Sequence, residues 1–146
     1  MKKILITGVV VLALLVGGFF ALNNYIYQEK QADPADASLT SQTWTWVAAL
    51  YNDGREILPQ DPQAFTISFG TDGSFNATTD CNQMGGTYAT EGDQITFSDI
   101  SMTKMFCEGS QEGTFSELLT DTQSYHTADG ELIFDLKFDS GSVMFR

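Results

Sequence analysis

Basic residues are scarce in this 146-residue chain: seven Lys and Arg stand against nineteen Asp and Glu, a formal charge of −12. Phosphate backbones need a basic surface, so nucleic acid is excluded as a partner. There is one histidine, His126, and it sits just before a turn at Ala128-Asp129-Gly130. A Cys–His hydrolase would need it beside a nucleophile with an orienting group and an oxyanion site, and no local pattern marks these. A zinc site from Cys81, Cys107 and His126 would lack a fourth ligand, and the spacing fits no common finger. Asp72, Asn76, Asp80 and Asp99 do not follow a calcium-loop pattern. The expectation is therefore no metal, no cofactor and no enzyme. The length holds one ordinary domain.

Only two cysteines are present, Cys81 and Cys107. A structural disulfide is one reading and two buried thiols another. A redox pair is the least economical, because the spacing is not Cys-x-x-Cys and Lys104 is the only base nearby in sequence.

Charge is missing altogether from Ile4 to Leu22, which follows Lys2 and Lys3. As a helix this run would be about 28 Å long, near the hydrocarbon thickness of a bilayer. The expectation is an N-terminal transmembrane anchor over residues 1–27, with residues 4–22 in the membrane. A cleaved signal peptide is the rival, but Ala35-Asp36-Ala37 lies far downstream of the apolar run. The lysine pair puts the N-terminus in the cytoplasm and the rest of a single-pass protein outside it. Residues 28–38 read as a flexible linker and residues 39–146 as the domain. From residue 31 onward there are eighteen acids and four bases.

Phe65-Thr66-Ile67-Ser68-Phe69 alternates apolar and polar residues and turns at Asp72-Gly73 into Phe75, Ala77 and Thr79. Period two of this kind marks half-buried strands, and Asp-Gly marks a hairpin. Glu91-Gly92-Asp93 turns a second hairpin between Tyr88 and Ile95. Leu132, Phe134, Leu136 and Phe138 alternate before Val143 and Phe145, and Trp44, Trp46, Ala48 and Leu50 do so upstream. Phe115, Leu118, Leu119 and Thr122 instead fall at helical spacing behind a capping box, Thr114-x-x-Glu117. The fold class expected is mostly β (α+β): a curved antiparallel sheet or half-barrel of about seven or eight strands around one short helix, preceded by the transmembrane helix. Phe65, Ile67, Phe69, Phe75, Phe97 and Phe134 are the candidates for its inner face.

Two further segments stand out: Cys81-Asn82-Gln83-Met84-Gly85-Gly86-Thr87-Tyr88 and Thr103-Lys104-Met105-Phe106-Cys107. The first resembles the Cys-Asn-x-x-x-Gly-x-Tyr signature of the META domain family, found in the bacterial heat-shock protein HslJ. The second resembles that family's Thr-x-Met-x-Cys. The signature positions are Cys81, Asn82, Gly86, Tyr88, Thr103, Met105 and Cys107. Trp44 resembles the tryptophan that opens the domain, and Glu112-x-x-Phe115-x-x-x-Leu119 its helix. The resemblance implies a small curved sheet around a helix, an extracytoplasmic location and no catalytic residues. It departs at Asp80, where the family usually has glycine. Physically, Asn82 suits a turn, Gly85 and Gly86 a chain reversal, and Tyr88 a core position with its hydroxyl at the edge. The functions expected are a membrane-anchored cell-envelope module acting on an unknown protein partner or in stress tolerance, or a binder of a small apolar ligand in a half-barrel cavity.

Overall fold

The computed structural model describes residues 34–146. A short helix, α1 (Pro34–Leu39), leads into β1 (Trp44–Tyr51) and a two-residue strand, β2 (Glu56–Ile57). Then come β3 (Thr66–Phe69), β4 (Ser74–Thr78), β5 (Gln83–Glu91) and β6 (Gln94–Met102). Helix α2 (Glu112–Asp121) precedes β7 (Thr122–Ala128), β8 (Glu131–Leu136) and β9 (Gly141–Phe145). The sheet runs β2-β1-β3-β4-β5-β6-β7-β8-β9, and β1 also pairs with β9, so it curls back on itself. Its weak place is the seam between β6 and β7, which share the single register pair Gln94↔Ser124.

The hairpins fall where the sequence puts them. Phe69 faces Phe75 across the Asp72-Gly73 turn, and Glu91 faces Gln94 across the next. Inside, Phe115 of α2 lies 5.3 Å from Phe65 and 5.7 Å from Trp46, ring centre to ring centre. Phe134 bridges this group to Phe69 and Phe97 through Phe145 at 5.0 Å and Phe97 at 5.8 Å. Phe65, Ile67, Phe69, Phe75 and Phe134 are buried together with Leu118 and Leu119, and Phe97 packs against them half-buried. The sheet interior is filled by its own side chains and the helix, so packed core occupies the place of the expected half-barrel cavity.

Several expectations are corrected. Among the described residues no helix is long and apolar enough to cross a membrane; α1 has six residues and α2 ten. The expected transmembrane helix over residues 4–22 lies outside the described residues. The membrane partner, the single-pass topology with a cytoplasmic N-terminus and the membrane-anchored envelope role depended on that helix, and they are set aside with it, as is the extracytoplasmic location built on that topology. The described residues hold nine strands, two α-helices and a short 3-10 helix (Lys137–Asp139), not seven or eight strands and one helix. Residues 34–38, read as the end of a linker, form α1 together with Leu39, which is fully buried and whose carbonyl accepts a hydrogen bond from the Trp44 indole at 2.8 Å.

Two inward positions also differ. The register slips between Trp46 and Ala48, so Ala49 enters the core and Leu50 is left 39% exposed. A bulge of this kind shifts every later side chain to the other face. Phe138 lies beyond the end of β8 in a left-handed conformation (φ 59°) and is 96% exposed. The alternation through Leu136 stops because the chain must reverse there.

Candidate functional site

Five of the seven signature residues, Cys81, Asn82, Thr103, Met105 and Cys107, meet where β5 begins and β6 ends, and Gly86 and Tyr88 lie further along β5. The Thr79 hydroxyl accepts from the amides of Cys81 (3.2 Å) and Asn82 (2.8 Å) and donates to the Asn82 carbonyl at 2.7 Å, which folds the chain tightly between β4 and β5. That turn aims the Asn82 side chain inward, where it is 4% exposed. Its Oδ1 accepts from the Thr103 hydroxyl at 2.7 Å and the Met105 amide at 2.9 Å. Its Nδ2 donates to the Met105 carbonyl at 3.0 Å and Glu112 Oε2 at 2.8 Å. One amide side chain thus satisfies both sides of the Met105 backbone and ties it to the start of α2. Cys81 and Cys107 are joined in a disulfide with a Cα–Cα distance of 5.8 Å, which closes the same loop a second time.

Asp80 extends the frame. It takes no left-handed conformation, so replacing the usual glycine introduces no backbone strain. Its carboxylate accepts from the Ser110 hydroxyl at 2.5 Å and the Gln111 amide at 2.8 Å. Ser110 Oγ in turn accepts from the Glu112 amide at 3.1 Å. These contacts satisfy free N–H groups at the start of α2 and set a negative charge against the positive end of its dipole. The helix consequently begins at Glu112 with Gln111 as its cap, and Thr114 lies inside it rather than capping it. Asp80→Gly is expected to cost about 1 kcal/mol in unfolding free energy, measurable by urea denaturation.

Gly86 has a different role from the one expected. It lies within β5 opposite Phe75, not in a reversal. A Cβ there would stand 2.6 Å from the Ser98 carbonyl oxygen and 2.8 Å from the Phe75 ring. The site needs glycine for room, with no positive φ involved. Gly86→Ala is expected to destabilise by about 1–3 kcal/mol, the usual range for overpacking, as a lowered urea midpoint at unchanged slope. Tyr88 enters the core beside Phe69 (4.9 Å) and donates its hydroxyl hydrogen to the Gly70 carbonyl at 2.9 Å. The Gly70 turn is itself held by Asp72, whose carboxyl the Ser74 hydroxyl and amide keep below the usual carboxylate range.

The frame presents a groove of about 610 Å³ along the last residues of β6 and the chain that follows them. Ile100, Met102, Met105 and Phe106 supply its apolar wall, and Asn82, Lys104 and Glu112 its polar edge. Met105 is 62% exposed and Phe106 94%. Sequence reasoning missed Ile100, Met102, Phe106 and Glu112 as a surface; the adjacent Met-Phe beside Cys107 was the one available signal. A second cleft of about 510 Å³ lies between Thr45, Val47 and the Leu58, Pro59 and Pro62 segment, and contains none of the signature residues. His126 stands 3.7 Å from Asp135, both about half exposed, away from either cysteine in the chain's hydrogen bonding. Among the described residues no group of His, Cys, Asp and Glu is arranged to hold a metal ion.

Solved structures share this architecture. An NMR structure of a protein from Burkholderia xenovorans is 19% identical, with a TM-score of 0.63 over 81% of this chain and 94% of that one. A crystal structure of a DUF4847 family protein from Bacteroides vulgatus is 20% identical, with a TM-score of 0.57 over 73% and 92%. At such identities the likeness shows the fold alone. No curated protein matches the chain. The META domain model matches residues 37–145, the stretch that holds the whole sheet, both signature segments and α2. The chain belongs to the META domain family.

Proposed function

We propose that this domain is a binding module that takes a small apolar ligand in the groove between β6, the 103–107 segment and the start of α2. We read the domain as non-enzymatic, in keeping with its membership of the META domain family. The finer likeness, to the HslJ-like members, belongs to the same proposal and rests on the Cys81-Asn82 and Thr103-x-Met105-x-Cys107 segments.

The observation that carries the reading is Phe106. A phenyl ring 94% exposed is bound to a backbone fixed on one side by Asn82 and on the other by the disulfide. Burying such a ring yields about 1.5–3 kcal/mol. The ordering that binding normally costs has already been met by the frame. Methionines at 102 and 105 add unbranched, polarizable walls that adapt to a ligand's shape.

The test uses full-length chain with methyl-labelled methionine, titrated with 2-naphthylmethanol as a neutral apolar probe. The Met102 and Met105 methyl signals are expected to shift saturably, and Phe106→Ser to weaken binding about tenfold with stability unchanged. Shifts confined to the buried Met84, or none at all, would remove the basis for the groove as a ligand site.

A further inference from the structure

Resting on the reading of the groove as a ligand site, we propose that its ligand is a small apolar cation, an aryl or alkyl ammonium, and not an apolar acid. The donors in the groove decide this first. Both Asn82 Nδ2 hydrogens are used, on Met105 and Glu112, and the Thr103 hydroxyl is used on Asn82. The Ser101 hydroxyl points to the Gly85 carbonyl. An anion entering the groove would find Lys104 as its only uncommitted side-chain donor among the lining residues.

A cation finds more. Glu112 is a half-buried carboxylate in the lining, and among the described residues it forms no ion pair. The face of the Phe106 ring is open, and aromatic faces attract ammonium groups, more strongly where water is displaced. The thioethers of Met102 and Met105 are polarizable neighbours for such a group. Behind these stands the field of the domain, with eighteen acids against four bases from residue 31 onward. A field of that sign raises the local concentration of cations at a cleft and lowers that of anions. Lys104 opposes this within the groove, but it is exposed and its influence is screened by solvent.

Three probes with one naphthalene body separate the inference from the reading beneath it: (2-naphthylmethyl)trimethylammonium, 2-naphthylmethanol and 2-naphthoate. Each is titrated into the full-length chain at low and high salt. The cation is expected to bind about tenfold more tightly than the acid at low ionic strength. The difference should shrink severalfold near 1 M salt, where the Debye length is about 3 Å. Glu112→Gln keeps an acceptor for Asn82 and is expected to weaken the cation about threefold more than it weakens the alcohol. Lys104→Gln should move the cation the other way by a similar factor. If the acid binds as tightly as the cation while the alcohol still binds, the charge preference is overturned and the groove remains a ligand site. If none of the three binds, both are overturned.

Discussion

Replacing Cys81 and Cys107 together by serine is expected to lower the unfolding free energy by about 3.5 kcal/mol, the chain-entropy value for a loop of this size. The bond spans 26 positions, so the denatured chain loses much of its freedom when it is closed. Domain stabilities run to about 5–15 kcal/mol, so such a loss is a large share of the total. The effect has a local part as well. Cys107 holds the end of the segment that carries Met105 and Phe106, and without the bond its path rests on the Asn82 contacts and on the bonds between Thr103 and Gln83. Urea unfolding of the oxidised protein and the double variant measures the sum. Amide hydrogen exchange at residues 103–107 isolates the local part, which should exchange faster in the variant. A loss below about 1 kcal/mol would mean that the denatured loop keeps its compactness without the bond.

Asn82→Asp is the second large effect. The isosteric carboxylate keeps the acceptor for Thr103 and Met105 but exchanges two N–H donors for a charged oxygen. That oxygen would lie where Nδ2 now donates, against the Met105 carbonyl and Glu112 Oε2. Two lost hydrogen bonds, a like-charge contact and a buried charge are expected to cost about 3–4 kcal/mol near neutral pH. Glu112→Gln in the same chain removes the repulsion and supplies an amide donor. It should restore about 1–2 kcal/mol, a coupling that a double-mutant cycle reads directly. The destabilisation should also shrink as pH falls, because the new carboxyl would be neutral in the folded state at a pH where it is charged in the unfolded one. A raised folded pKa of this kind costs stability above the unfolded pKa and ceases to do so below it. Equal losses for Asn82→Asp with and without Glu112→Gln would place the Asn82 contribution elsewhere than in the contact with Glu112.

Much of the sheet was legible because its signals are local. Asp72-Gly73 and Glu91-Gly92-Asp93 turn where turn chemistry says they should, and the Phe115, Leu118, Leu119 stripe faces the core. Tyr88 could be placed because a phenol near a strand end buries its ring and keeps its hydroxyl bonded. The readings that failed depended on distant partners. The start of α2 is set by Asp80, thirty-one positions before Gln111, so a local capping box at Thr114 was outcompeted. Gly86 is required by the Phe75 ring and the Ser98 carbonyl, which no spacing rule reveals. Asn82 suits a turn by residue type, but its side chain bonds to Met105 and Glu112, across 23 and 30 positions. The groove was illegible for the same reason. Its walls come from the end of β6 and the chain after it, joined by Asn82 and Glu112 from distant parts of the sequence.

Thermal unfolding of the full-length chain with and without saturating 2-naphthylmethanol, in parallel with Phe106→Ser, tests the groove most directly. Phe106 supports nothing in the fold, so both proteins should melt together without the probe. At about a hundred times its Kd a ligand stabilises by about 2.7 kcal/mol, enough to raise Tm by several degrees in a domain of this size. The expected result is such a rise in the wild type and little or none in the variant. Equal rises in the two proteins, or no rise in either, would contradict it.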